Sequence, residues 1–306
     1  MSFTVTLTTV AIMLLYTVPG YILMKKGLVN KGSITTLATI LLYLCSPMQI
    51  LYGVQQLEFT PYMLKYLFIT LGIGLVLMGG MLLIVYFFLR KKQADVTYRI
   101  CTISAVMGNC GFMGIPLLEA LLPQYPQAVG FAAMFFVSYN ILMWTLVSFI
   151  ITRDKKYISV KKILLNPSVI AMGVALVFFF TRITFTGQIG NMIALLNKMC
   201  TPICMLILGM RLALVPIKPI FNQPIQYLAV GLKLFIFPLF ALALMSVLPL
   251  DRNYVIGIYI ICSAPVGNMV LSFAEILGEG QDTAANVVIL STLLSLITIP
   301  VMMLLV

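Results

Sequence analysis

One stretch of the chain combines the composition of a membrane helix with residues that break helices: Ser104-Ala105-Val106-Met107-Gly108-Asn109-Cys110-Gly111-Phe112-Met113-Gly114-Ile115-Pro116. It lies inside an apolar run long enough to cross a membrane, yet it contains three glycines, an asparagine and a proline. Glycine costs about 1 kcal/mol relative to alanine in a helix interior, and proline about 3 kcal/mol. Backbone at membrane depth leaves a helix only where protein or a water-filled cavity satisfies its polar groups. We therefore expect this stretch to form half of a substrate site.

The composition of the whole chain is that of a polytopic membrane protein. Of its 306 residues, 62% are hydrophobic and only 9% are charged, whereas soluble domains carry about 25% charged residues. The six cysteines have neither C-x-x-C spacing nor a histidine partner, because the chain contains no histidine. No metal site, disulfide framework or other cofactor is expected. The net charge of +11 comes from basic residues in short loops, which set membrane topology and do not indicate nucleic-acid binding.

Apolar runs of roughly 20 residues, each sufficient to cross about 30 Å of hydrocarbon, recur along the chain. The first run has no basic segment before it and no small-residue cleavage site after it, so we expect a retained helix and not a signal peptide. The sequence predicts an all-α fold with ten transmembrane helices near residues 3–24, 34–54, 62–89, 97–122, 127–151, 164–182, 188–212, 225–248, 253–277 and 284–305.

Basic residues are concentrated in every second loop. They follow the first, third, fifth and seventh runs and are Lys25, Lys26, Lys31, Arg90, Lys91, Lys92, Arg99, Arg153, Lys155, Lys156, Lys161, Lys162, Arg211 and Lys218. The positive-inside rule then places the odd-numbered loops in the cytoplasm and both termini outside. The loop after the ninth run is acidic, with Glu279 and Asp282, but acidic residues count little in this rule.

Two sequence echoes indicate an internal repeat. Cys45-Ser46-Pro47 recurs as Cys200-Thr201-Pro202, 155 residues later, and Ser104–Asn109 recurs as Ser263–Asn268, 159 residues later. Because five helices per half is an odd number, homologous halves must be inverted in the membrane. We expect one repeat over residues 1–152, a basic cytoplasmic linker over 153–163, and a second repeat over 164–306.

The prolines predict where the two polar helices are interrupted. Pro116 lacks an N–H and clashes with the carbonyl of Phe112, so the fourth helix should break just before it and restart there. Pro265 should act likewise in the ninth helix, with the amides of residues 266–268 opening a second half-helix. Both restarted half-helices would begin at the bilayer centre, each with free N–H donors and about half a positive charge, which suits an anion. The alternative is a pair of kinked helices whose small residues only permit close packing.

The candidate substrate-binding residues are polar or backbone-exposing residues of these helices. They are Asn109, Cys110, Gly111, Pro116, Asn140, Pro265, Val266, Gly267 and Asn268, with Ser46 and Thr201 facing the cavity from other helices. Asn140 could instead hold the bundle together, and Ser46 and Thr201 could simply flank kinks. Glu119 and Glu275 are candidates for coupling, or interface residues. Lys65 and Lys233 are expected to extend to a membrane surface, and Arg211 to anchor its helix.

The motif Gly-Asn-x-Gly-Phe-x-Gly-Ile-Pro, from Gly108 to Pro116, resembles the auxin efflux carrier (PIN-like) family of bacteria and plants. Ala264–Asn268 fits the same family, as does Asn140 with Thr145 in the fifth helix. The resemblance covers essentially the whole chain, which lacks the long central loop of many plant PIN exporters. It is therefore similar to short-loop bacterial members, several of which are described as dicarboxylate permeases.

The resemblance implies a fold like that of bile-acid symporters and sodium–proton antiporters. Helices 4 and 9 would be broken and cross at their breaks, with the substrate beside the crossing. Helices 3–5 and 8–10 would form a moving transport domain. Helices 1, 2, 6 and 7 would form a scaffold, through which we expect a homodimer.

The sequence thus predicts a secondary transporter that moves a small organic anion across the plasma membrane by an elevator mechanism. A monocarboxylate, a dicarboxylate or an auxin-like acid would fit. Proton or membrane-potential coupling is favoured over sodium, because no buried carboxylate is evident beside the crossing. The alternatives are an anion channel of the same fold and a non-transporting receptor for a carboxylate. An enzyme is not expected, since there is no histidine, no Ser–Lys or paired-aspartate arrangement and no nucleotide-binding glycine motif.

Overall fold

The computed structural model describes residues 3–214 and 224–306, so the predicted loop cation Lys218 lies outside the described residues. Within these ranges the chain is helical and contains no β-strand. The helices are α1 (Phe3–Lys25), α2 (Lys31–Gln55), α3 (Pro61–Phe88), α4a (Val96–Ser104), α4b (Cys110–Leu121), α5 (Gln127–Thr152), α6 (Pro167–Thr181), α7 (Gly187–Leu214), α8 (Pro224–Ser246), α9a (Arg252–Cys262), α9b (Asn268–Leu277) and α10 (Gln281–Leu305).

Seven of the described helices are long and apolar enough to cross a membrane: α1, α2, α3, α5, α7, α8 and α10. The shorter apolar helices α4b, α6 and α9a accompany them. The chain is therefore a polytopic membrane protein. Each apolar run predicted from the sequence overlaps a helix, and the fourth and ninth runs each contain an interruption.

Polar residues in the loops fix where several helices begin. A side-chain oxygen of the residue before the helix accepts a hydrogen bond from a backbone amide of its first turn, which satisfies one of the four unpaired donors there. The residues that do this are Asn30 for α2, Thr60 for α3, Asp95 for α4a, Asn166 for α6 and Asp251 for α9a. Short loops with strong caps therefore separate the apolar runs.

Wider π-helical turns accommodate three of the prolines inside the described helices, Pro47, Pro116 and Pro238. Such turns span Leu41–Cys45, Cys110–Gly114 and Leu232–Ile236, and each comes just before a proline. The wider turn absorbs the missing N–H and the bulk of the ring without ending the helix. The prediction that the fourth helix breaks just before Pro116 is therefore wrong. Pro116 lies inside α4b, and the break comes earlier, at residues 105–109.

The two interrupted helices meet at their breaks, residues 105–109 and 263–267. Gly108 and Val266 form an isolated antiparallel β-bridge. The Asn109 amide donates to the Pro265 carbonyl at 2.6 Å, and the Gly267 amide donates to the Met107 carbonyl at 3.0 Å. Each break thus supplies hydrogen-bond partners to the other, which is how non-helical backbone is satisfied deep inside an apolar protein.

Close backbone contact joins α1 to α7. A Cβ atom placed on Gly20 would collide with the Leu206 carbonyl, and one on Gly209 would collide with the Thr17 carbonyl. Small residues are the usual means by which membrane helices approach this closely. Helix α2 packs against both α6 and α7, whereas α3 packs against α5, and α10 against α4a and α8. These contacts surround the crossing on several sides.

Candidate functional site

The first turns of α4b and α9b supply backbone donors beside the crossing. In α4b, the Asn109 carbonyl accepts from the amides of Met113 and Gly114. No backbone carbonyl among the described residues accepts from the amides of residues 110–112. In α9b, the amides of residues 268 and 269 are likewise without a carbonyl acceptor in the described part of the chain. These are the donors that a helix start leaves free, and they carry its partial positive charge.

Two amides that were predicted to be free are already used within the protein. The Val266 amide donates to Ser291 Oγ at 3.1 Å, and the Gly267 amide donates to the Met107 carbonyl. The expectation of a donor row beginning at Val266 is therefore wrong. The half-helix starts one residue after Gly267, whose extended backbone (φ −79°, ψ 144°) caps it. The amides of Val266 and Gly267 are therefore already hydrogen-bonded, to Ser291 and to the other break respectively.

A cavity of about 250 Å³ lies against these helix starts, and we call it the central cavity. Five of the predicted site residues line it: Asn109, Cys110, Gly111, Gly267 and Asn268. The remainder of the wall is largely apolar and includes aromatic side chains of α5, namely Phe136, Tyr139 and Trp144. A few polar groups in an apolar wall are typical of a site for a small organic molecule.

The two asparagines of the crossing point towards a single atom of α7. Nδ2 of Asn109 lies 3.8 Å from Cys204 Sγ, and Nδ2 of Asn268 lies 3.5 Å from the same sulfur. Asn268 Oδ1 is buried and has no hydrogen-bond partner among the described residues. Sequence reasoning missed Cys204, because an isolated cysteine in an apolar helix has no feature that separates it from packing residues.

Other candidate residues lie away from the central cavity. Asn140 donates to the Phe136 carbonyl at 2.8 Å and accepts from Asn166 Nδ2 at 3.2 Å, so it joins α5 to the start of α6. Ser46 hydrogen-bonds to Ser168 at 3.0 Å, within the α2–α6 contact. For Asn140 the geometry matches the bundle-holding alternative, and Ser46 likewise joins two helices.

A second group of candidates surrounds a separate cavity of about 370 Å³, which residues of α4b also line. Pro116, Glu119 and Thr201 line it. Thr201 donates to the Phe112 carbonyl at 2.8 Å, and Glu119 accepts from Asn197 at 3.3 Å. Thr201 therefore satisfies a carbonyl of the π turn of α4b. Pro265 belongs to the crossing itself, where its carbonyl accepts from Asn109.

Lys233 does not extend to a membrane surface, which corrects the sequence prediction. It is fully buried, and its Nζ donates to the Cys262 carbonyl at 2.7 Å. The ammonium also lies 4.5 Å from the centre of the Phe237 ring. A Cβ atom on Gly108 would lie 2.8 Å from Nζ, so the lysine packs directly on the crossing. A cation at a helix C-terminus is favoured by the helix dipole.

Arg211 lies where the central cavity adjoins a larger cavity, a place that we call the neck. This second cavity, which we call the vestibule, has a volume of about 590 Å³ and is lined by the exposed residues Lys31 and Gln281, among others. Arg211 lines both cavities and pairs with Glu275 at 3.1 Å. Sequence reasoning assigned Arg211 only an anchoring role, because its partner Glu275 lies in a different helix, 64 residues away along the chain.

Crossing half-helices beside a cavity, within a polytopic helical protein, are the architecture of a membrane transporter. A family model described as "Membrane transport protein" matches residues 5–163 and residues 156–303. The chain belongs to this family, the auxin efflux carrier or PIN-like family, which confirms the resemblance found in the sequence. A search of curated proteins returns no match.

Proposed function

We propose that this protein is a secondary transporter that carries a small organic anion across the plasma membrane by elevator-type alternating access. One observation supports the anion above all: the first turns of α4b and α9b both face the central cavity with backbone amides that no carbonyl of residues 3–214 and 224–306 accepts. Two helix starts together provide partial positive charge and N–H donors without a formal cation. Asn109 and Asn268 add side-chain donors at the same place.

The wall of the central cavity supports an organic anion over an inorganic one. Beyond the crossing, it is formed by aromatic and aliphatic side chains such as Phe136, Tyr139 and Phe273. These aromatic and aliphatic side chains favour contact with a hydrocarbon group over contact with a hydrated inorganic ion. A carboxylate at the crossing, with its carbon skeleton against the aromatic wall, uses both features.

The proposed architecture has ten membrane crossings in two inverted repeats, residues 1–152 and 164–306, joined by the linker 153–163. Two observations support it. The two segments matched by the family model overlap at residues 156–163. The two breaks pair symmetrically through Gly108 and Val266.

In this proposal, α1, α2, α6 and α7 form the scaffold and the homodimer contact, and the other helices form the moving domain. The close α1–α7 and α2–α6 packing supports the grouping of the scaffold. With both termini outside, Lys31 and the vestibule face the cytoplasm, so this conformation is open inwards. No carboxylate of a described residue lines the central cavity, which supports proton or potential coupling over sodium. Glu119 and Glu275 remain the proposed coupling groups.

The test is uptake by purified protein in proteoliposomes against a panel of acetate, butyrate, succinate, malate and indole-3-acetate. Each acid is offered with and without sodium and a pH gradient. We expect saturable uptake and counterflow exchange for at least one acid. Flux that rises linearly with concentration and shows no counterflow would instead identify a channel.

Variants at the crossing localise the site. Asn109→Ala and Asn268→Ala should each reduce uptake about tenfold or more, because each removes a donor that would bind a charged acceptor. Asn191→Ala, at an exposed position of α7, is the matched control and should transport normally. Folding is checked by size-exclusion profile and thermal unfolding. Wild-type rates in both crossing variants would place the site elsewhere.

A further inference from the structure

Two side chains of the central cavity carry buried donors that nothing in the described chain accepts. They are Nε and Nη1 of Arg211, and Nε1 of Trp144. A buried donor without a partner costs about 1–3 kcal/mol, and more when the group is charged. All three atoms are donors only, so the missing partner must be an acceptor. The unpaired donors of Arg211 and Trp144, of which the guanidinium is charged, therefore favour an anion in a part of the central cavity that the crossing does not occupy.

The position of Arg211 separates these donors from the crossing. Arg211 comes seven residues after Cys204 on α7, which is two helical turns, or about 10 Å along the axis, on the same face. Cys204 contacts Asn109 and Asn268 at the crossing. The guanidinium thus lies towards the vestibule end of the central cavity, where it also lines the vestibule.

The ion pair of Arg211 with Glu275 is unequal in burial. The Arg211 side chain is 10% exposed, whereas that of Glu275 is 47% exposed. Glu275 can return to water at little cost, since exposed ion pairs contribute about 0–1 kcal/mol. Arg211 cannot do so, because a buried charge that loses its partner is strongly destabilised. Release of Glu275 is therefore favourable only when another anion takes its place.

The surroundings of Trp144 fit the same ligand. Its indole packs on Phe273 with 5.1 Å between ring centres, and the ammonium of Lys162 lies 4.9 Å from the ring centre. Trp144 therefore lines the central cavity with a second positive charge beside its ring. An indole N–H and a guanidinium edge are both good donors to a carboxylate oxygen.

We infer that Arg211 and Trp144 form a second anion-binding position, at the vestibule end of the central cavity, where the carboxylate of an arriving substrate displaces Glu275 from the guanidinium. The inference rests on the proposed function and extends it, because it assigns a substrate ligand outside the crossing. Glu275 is the exchangeable counter-ion of Arg211 and closes the neck when no substrate is bound.

Trp144 is the only tryptophan of the chain, so its emission reports on this position directly. Purified protein in lipid vesicles is titrated with acetate, butyrate, succinate, malate and phenylacetate, none of which emits as tryptophan does, and the change in tryptophan fluorescence gives an apparent Kd. We expect a saturable change with at least one acid. A protein whose emission responds to none of the five overturns the inference.

Two variants should change the Kd in opposite directions. Arg211→Gln should weaken binding about tenfold or more, because a charge-assisted hydrogen bond is lost. Glu275→Gln should tighten binding, because the competing carboxylate is gone. The control is Arg182→Asn, which should bind as the wild type does. Arg182 is exposed, and asparagine tolerates its left-handed backbone conformation (φ 56°).

The opposite signs separate ligand binding from a structural role. If the ion pair only held α7 against α9b, Glu275→Gln would weaken binding or leave it unchanged, and that result overturns the inference. The Glu275→Gln measurement decides the question even if Arg211→Gln fails to fold. Loss of binding in Asn268→Ala, with wild-type Kd values in both ion-pair variants, would leave the proposed transport site standing and remove only the second position.

Discussion

The breaks in α4 and α9 look alike in the sequence and differ in how they are built. Both span five residues and join through the bridge of Gly108 and Val266. The α9 break contains its proline, Pro265, whereas Pro116 lies six residues into α4b, behind a π turn. A proline therefore does not by itself locate a break in this protein. What the two breaks share is that each supplies hydrogen-bond partners to the backbone of the other.

The helices that end at the two breaks also differ. The last residue of α9a, Cys262, receives a hydrogen bond from the buried ammonium of Lys233. No lysine or arginine of the described residues donates to a carbonyl at the end of α4a. The crossing is thus symmetric in its backbone and asymmetric in its charge. Lys233 stabilises the C-terminal dipole of one half-helix only.

The largest expected effect tests this asymmetry. Lys233→Met should lower the stability of the purified protein by about 1–3 kcal/mol, because the Cys262 carbonyl loses a donor. Lys233→Gln keeps an N–H donor and should recover part of the loss. Thermal unfolding in nanodiscs measures both, and Lys65→Met, at an exposed lysine, is the control. A Met variant as stable as the wild type would mean that the lysine contributes nothing to the end of α9a.

A smaller effect should distinguish the two prolines. Pro265→Ala gives the backbone at residue 265 more conformational freedom, which costs about 0.4–1 kcal/mol to remove when the crossing forms. This variant should therefore reduce uptake about two- to fivefold. Pro116→Ala should change uptake less than about twofold, because the half-helix already begins before it. The initial rate of saturable uptake in proteoliposomes is the measurement. A larger loss of uptake in Pro116→Ala than in Pro265→Ala would show that the functionally important interruption of α4 lies at Pro116.

The smallest effect concerns the atom that both asparagines approach. Cys204→Ala removes the sulfur shared by Asn109 and Asn268, and should change uptake less than about twofold, because a thiol is a weak acceptor. The same uptake measurement applies, with Cys101→Ala, a buried cysteine of α4a, as the control. A tenfold loss in Cys204→Ala would show that α7 positions the two asparagines.

Much of the fold was predictable because it depends on local composition. The apolar runs, the loop cations and the asparagine, glycine and proline clusters all lie in continuous segments, so periodicity and length suffice to find the helices and the two interruptions. The candidate site was predictable in part. Asn109 and Asn268 are polar residues in apolar segments, beside the glycines and prolines that interrupt the helices, and this local pattern was enough to select them as candidates. Asn140 and Ser46 have the same local features, yet they contact α6, which only the packing reveals.

The residues whose surroundings the sequence did not reveal all depend on contacts between separate segments. Lys233 is near enough to a helix end to reach a surface in an isolated helix, and is buried because α9a and the crossing cover it. Arg211 is an ordinary helix-terminal cation until Glu275 and the cavity wall lie beside it. The free amides of α9b start later than predicted, because the opposite break takes the Gly267 donor.

The sequence by itself determined that this chain spans a membrane as a helical bundle and that two of its helices cannot be continuous. Those properties follow from hydrophobicity and backbone chemistry, which each residue has regardless of its neighbours in space. Only the tertiary structure decided where the breaks lie, which donors stay free and which charges face the cavity. Those properties depend on hydrogen-bond partners and burial, which other segments of the chain supply.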